Sequence, residues 1–187
     1  MNSLPATPLS VPLSRIARLS RALEILTDIG IALVAVLTVA CFLIADWSRN
    51  LLLAKLGQAG AALPVTPQAR LAAAAVVAVP VAVMLYGLWN VRALFREFGQ
   101  GRVFTAGAAR HLQVFAVTVL VQAPLNPLIS AGLSLAVSMA QESGPRMLAI
   151  GFSLHDYYAL IVGGALFAIA SVMREATRLA DENAGFV

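Results

Sequence analysis

The sequence predicts an all-α integral membrane protein, a four-helix bundle with both termini in the cytoplasm. Three observations carry that prediction. Four long blocks, 29–45, 71–89, 114–140 and 157–173, contain no Asp, Glu, Lys or Arg. The 187-residue chain is 60% hydrophobic and 12% charged, with a mean hydropathy of +0.85, whereas roughly a quarter of the residues of a soluble domain are charged. The basic residues, finally, are divided unevenly between the segments that join the blocks.

A hydrocarbon core about 30 Å thick needs about 20 apolar residues in a helix, because an amide in lipid must find its partner inside its own segment. All four blocks meet or approach that length. A helix of a soluble bundle would instead carry a polar stripe every three to four residues. In 29–45 the one clearly polar side chain is Thr38, so no such stripe exists. A long stretch precedes this first run, unlike a cleaved secretory signal. Cys41 reads as a small packing residue, and a lone cysteine forms neither an intrachain disulfide nor a cysteine-cluster metal site.

The spans are placed at 29–45, 71–91, 112–140 and 157–173, within one membrane domain of residues 15–183. Residues 1–14, rich in Pro and Ser, read as a disordered leader, and 184–187 as a short tail. From Leu13 to Asp28 apolar and charged residues alternate at helical spacing, which predicts an amphipathic helix running into the first span. In the first connection Leu51, Leu52, Leu53 and Leu56 predict a short interfacial helix, followed by an irregular stretch through Gly57, Gly60, Pro64 and Pro67. The third block is too long for one straight crossing, about 40 Å at helical rise. Pro124 and Pro127 flank Asn126 within it, so a kink or local break is predicted there, with another kink at Pro80. Ahead of the fourth span Ser153-Leu154-His155-Asp156 fits a capping box. That reading accounts for His155 better than a metal site does.

Orientation follows the Lys and Arg residues, whose excess stays in the cytoplasm. Arg15, Arg18, Arg21, Arg92, Arg96, Arg102, Arg110, Arg174 and Arg178 fall on one side, against Arg49, Lys55, Arg70 and Arg146 on the other. Trp47, Trp89, Tyr157 and Tyr158 lie at span ends, where amphipathic rings favour the headgroup zone. The net charge of +4 is thereby explained by topology, and no basic patch interleaved with aromatics suggests direct nucleic-acid binding.

The most patterned polar region is the hairpin between the second and third spans. Leu94, Phe95 and Phe98 continue a helical face past the membrane, Gly99 and Gly101 stop that helix, and Thr105 is placed to cap the next. Arg92, Arg96, Arg102 and Arg110, with Arg174 and Arg178 of the C-terminal helix, are the candidate partner-docking or lipid-docking residues. The plainer reading of the hairpin is a tight turn with basic anchors. Gln122 and Asn126 are the intramembrane polar candidates, either a small substrate or ion site at the break or amides that satisfy a kink. No charged residue lies inside the same block, and ion-coupled transport usually relies on one. Ser130, Ser134 and Ser138, with Gly164 and Ala168 of the fourth span, form small-residue stripes for close helix packing, within a subunit or between copies. Arg178 and Glu182 are one turn apart and able to pair. No nucleophile, base and orienting group converge, so no enzyme and no cofactor is predicted.

The hairpin from Leu94-Phe95 to Phe104-Thr105, the Phe152-Ser153-Leu154 lead-in, and the exit Val172-Met173-Arg174-Glu175 through Leu179 and Asp181-Glu182-Asn183 resemble the bacterial membrane family known as domain of unknown function 2975. The final Ala184-Gly185-Phe186-Val187 departs from the more polar end associated with that family. The resemblance implies a four-span protein of the bacterial inner membrane, frequently encoded beside a small helix-turn-helix regulator. Two functions are therefore weighed. The favoured one is a regulatory protein that docks a soluble cytoplasmic partner through its hairpin and C-terminal helix; the other is a small transporter or channel using Gln122 and Asn126.

Overall fold

The computed structural model describes residues 10–44, 46, 47, 50, 67–139 and 153–184. Its architecture is four long helices: α1 (Ser10–Leu43), α2 (Pro67–Gly99), α3 (Ala106–Met139) and α4 (Leu154–Ala184). No strand occurs among the described residues. All four helices are long and apolar enough to cross a membrane. The interfacial helix predicted around Leu51–Leu56 lies outside the described residues.

The ends of the helices follow local chemistry. Pro67 opens α2 at a position where a missing amide hydrogen costs nothing. Thr105 Oγ1 accepts from the Ala108 amide at 3.1 Å, the predicted cap of α3. The box at α4 is reciprocal: the Ser153 amide donates to Asp156 Oδ2 at 2.8 Å, and the Asp156 amide to Ser153 Oγ at 3.4 Å. At the end of α2 the Arg102 amide bonds the Glu97 carbonyl and the Gly101 amide that of Phe98. Gly101, at φ 77°, supplies the left-handed residue this double closure needs. The stop is therefore Gly101, while Gly99 belongs to the last turn of the helix.

Two boundaries differ from the sequence reading. The first helix starts at Ser10, so residues 10–14 belong to it rather than to a disordered leader. The third helix runs unbroken through Pro124 and Pro127. A proline removes one amide donor, yet neighbouring side chains and helices can re-satisfy the freed groups at membrane depth.

The substantial helix contacts run in chain order, α1 on α2, α2 on α3 and α3 on α4. Helices consecutive in the chain are usually neighbours in space, and the short connection from Gly99 to Ala106 requires it of α2 and α3. Within the predicted four-helix unit the packing is thus a serial array, with α1 and α4 at its two edges. The interior is built from small and polar residues: Ala73, Ala108, Ala109, Ala116, Ala123 and Ala170 are buried with Ser20, Thr27, Asn90 and Thr118. One larger cluster, Ala73, Ile129 and Leu133, takes Phe42 of α1 against it. Bulky apolar side chains, Leu26, Leu33, Val36, Leu128, Ile161 and Val172 among them, are exposed. A water-soluble protein buries such groups; here the hydrocarbon phase is their solvent.

With small interiors the helices come close. A Cβ on Gly163 would lie 2.9 Å from the Leu120 side chain and 3.1 Å from its backbone nitrogen, and one on Gly87 would collide with Thr118 Oγ1. Hydroxyls stay within their own helices: Thr27 donates to the Leu23 carbonyl, Thr118 to Phe115, Ser130 to Asn126 and Ser134 to Ala131. The serine stripe of α3 therefore bonds its own backbone at these two positions. Gly163→Leu should force α3 and α4 apart at a cost of about 1–3 kcal/mol, whereas Gly164→Leu, whose Cβ meets nothing within 4 Å, should be tolerated. Thermal unfolding of the two variants in detergent checks this contrast.

Candidate functional site

The four helices continue beyond their uncharged blocks in the same direction, where both termini and the α2–α3 hairpin lie. This basic end is where the sequence placed six candidate arginines, and the structure divides them into two groups.

Arg92 and Arg96 pair with carboxylates of α1, Arg92 half-buried and Arg96 exposed. Arg92 Nε lies 2.5 Å from Asp28 Oδ1, and Arg96 Nε 3.3 Å from Glu24 Oε1. The two pairs sit one turn apart on both helices and so fix the antiparallel register of α1 on α2. The Arg92 guanidinium also lies over the Trp89 ring, 5.3 Å from its centroid. Both candidate arginines are thus ion-paired, and Arg96 keeps about half of its side chain at the surface. The carboxylates of Asp28 and Glu24 hold them in place, because an ion pair is stronger at a membrane boundary than in open water.

The other arginines remain on the surface. Arg102 donates to the Gln100 amide oxygen, and Arg110 is exposed on the first turns of α3. Arg174 reaches across from α4 to Gln113 Oε1 at 3.2 Å. Arg178 takes the predicted partner Glu182 at 3.8 Å and, more closely, Glu175 at 2.6 Å.

Glu97 organises the hairpin. Its Oε2 accepts from Thr105 Oγ1 at 2.8 Å, and Oε1 lies 4.0 Å from His111 Nε2. The other ring nitrogen of His111 is 3.0 Å from Asn90 Oδ1, while Asn90 Nδ2 donates to the Tyr86 carbonyl. Because the Asn90 amide is oriented by Tyr86, its oxygen is the acceptor, and His111 Nδ1 is the donor. The sequence reading missed this cluster. Residues 90, 97, 105 and 111 carry no motif, and the pairing of α2 with α3 alone brings them together. Among the described residues no group of three or more His, Cys, Asp or Glu is placed to hold a metal ion.

Beside the hairpin a groove of about 430 Å³ opens between Phe104, Thr105 and Ala106 on one side and Ala176, Thr177, Ala180 and Asp181 of α4 on the other. Phe104 stands 78% exposed at its rim.

Deeper in the array both intramembrane amides have partners. Gln122 Nε2 donates to the Pro80 carbonyl at 2.9 Å, joining the two proline-bearing helices. Asn126 Nδ2 donates to Asp156 Oδ1 at 2.6 Å, and Asp156 is only 2% exposed. The view that no charged side chain accompanies Asn126 is therefore corrected: the carboxylate comes from α4, thirty residues further along the chain. Register, not proximity in sequence, unites them.

A family model described as "Protein of unknown function (DUF2975)" matches residues 6–185. The chain belongs to this family. No curated protein and no solved structure matches it significantly. The DUF2975 pattern thus covers the whole described array, including the hairpin and the α4 exit.

Asn126→Leu should remove one hydrogen-bond donor from the buried Asp156 carboxylate, lowering stability by about 1–3 kcal/mol, while Asn126→Gln should be milder. Thermal unfolding in detergent measures both. The charge swap Asp28→Arg with Arg92→Asp should recover much of the stability lost by either single change, read as a double-mutant cycle.

Proposed function

We propose that this DUF2975 member is a regulatory protein of the bacterial inner membrane, with both termini cytoplasmic, that docks a soluble partner on its basic end. The observation that carries this reading is the groove shared by Phe104 of the hairpin and Ala176 and Ala180 of α4. The two segments that sequence patterning singles out separately line a single concave surface. Exposed aromatics beside small residues are the usual anchors of a protein contact, and this one projects beyond the uncharged runs into water. The excess of arginine on this side supports the cytoplasmic orientation. A helix-turn-helix regulator, the kind of neighbour the family resemblance implies, is the partner proposed.

The transporter reading draws less support, because the donor groups of Gln122 and Asn126 already serve helix contacts. The proposed role requires no catalytic residue and no cofactor.

Co-expression with a helix-turn-helix regulator encoded beside it tests the proposal. The regulator should co-elute with the wild-type chain from mild detergent and be lost with Phe104→Ala or Ala180→Trp, which empties or fills the groove. A regulator that never co-elutes with the wild-type chain, or one retained equally by both variants, overturns it.

A further inference from the structure

A second cavity, of about 600 Å³, lies between α3 and α4, lined by Gln113, Ser171, Arg174, Glu175, Arg178 and their neighbours. Its position is informative. Gln113 lies at the start of the third uncharged run, and Arg174 follows directly on the end of the fourth. The mouth of the cavity is therefore at the depth of the lipid phosphates.

Its charges are unevenly distributed along its length. Arg178 is taken by Glu175 and Glu182. Arg174 bonds the neutral amide of Gln113. Arg110 is four residues from Ala106, which lines the cavity, and three from Gln113, so the three share one face of α3. It is exposed and makes no ion pair with the described residues. The remaining carboxylate, Asp181, also lines the cavity, at its end toward water, two turns or roughly 10 Å beyond Arg174. Arg174 and Arg110 thus stand at the lipid end of the cavity, whereas its two carboxylates, Glu175 and Asp181, lie toward Arg178 and the water. A guanidinium fork matches two oxygens of a phosphate.

Below the cavity, small and exposed apolar residues of α3 and α4 follow on the same side. The register set by Arg174 on Gln113, Gly163 on Leu120 and Asn126 on Asp156 places Val117 and Val121 of α3 opposite Ala168 and Gly164 of α4. Both valines are exposed, and Ser171, Ala168 and Gly164 follow one another along a single face of α4. Gly164 has open space above it, in contrast to Gly163, which is pressed against Leu120. A cationic mouth above a shallow apolar track fits an amphiphile better than a free anion.

We infer that this groove binds an anionic phospholipid, its phosphate between Arg110 and Arg174 and one acyl chain along Val117, Val121, Ala168 and Gly164. Basic pockets between membrane helices recognise such headgroups. The site is separate from the groove of Phe104 and needs no protein partner, so its test can fail without touching the docking proposal.

The experiment titrates the purified full-length chain in mild detergent with phosphatidylglycerol, phosphatidylcholine and soluble glycerol phosphate, followed by native mass spectrometry. Phosphatidylglycerol should bind about tenfold more tightly than phosphatidylcholine, and the pair Arg110→Gln with Arg174→Gln should remove about that factor. Ala168→Leu, which keeps every charge, should weaken the lipid by obstructing the chain track. If the double variant loses its monodisperse elution, Ala168→Leu decides alone. Equal retention of the two lipids, unchanged binding by Ala168→Leu, or glycerol phosphate binding as well as the lipid would each overturn the inference.

Discussion

The structure depends on one constraint: its outer solvent is hydrocarbon, which leaves no apolar driving force between one helix and the next. Bulk goes outward, as with Leu33, Val36 and Ile161, and the contacts are left to alanines, glycines and threonines. Close approach then substitutes for hydrophobic burial, and the glycines at 87 and 163 are the places where a single methyl group would be felt. Sparse polar links do the rest. Gln122 ties α3 to Pro80 of α2, Asn126 ties it to Asp156 of α4, and the pairs of Arg92 and Arg96 tie α1 to α2. Each neighbouring pair in the array has at least one such link, and each link joins helices consecutive in the chain.

The same constraint separates the molecule into two regimes. Within the uncharged runs the amides of Gln122 and Asn126 and the hydroxyls of Thr118, Ser130 and Ser134 all have partners in the protein. At the basic end the helices emerge into a medium of higher dielectric, and arginines such as Arg102 and Arg110 stand at the surface without a carboxylate partner among the described residues. Recognition of anything outside the lipid has to be built there, and the grooves beside Phe104 and Arg174 both occupy that end.

How much of this is legible in the sequence depends on range. The four helices are readable because runs of such length without a single charge have no polar face to offer water, and in lipid a helix is what satisfies their amides. Their caps are readable too, since Ser153 with Asp156, and Thr105 with Ala108, act within one turn. The prolines are legible only in part: Pro124 and Pro127 suggest interruption, and a helix supported by neighbours on both sides continues through them without a break. The interhelical links stay hidden. Nothing in the chain says that Asp28 meets Arg92 or that Asn126 meets Asp156. Those pairings depend on which faces turn inward and on the axial shift between helices, and a stripe of alanines allows several shifts. The partition of the arginines into committed and free groups is hidden for the same reason.

The two oxygens of Asp156 serve different helices. One closes the first turn of α4 through Ser153, and the other grips Asn126 of α3. The final segment can fasten to its predecessor only once its own opening turn has been wound. The cap of α4 and its contact with α3 thus share one carboxylate, so that a substitution at Ser153 reaches Asn126 as well.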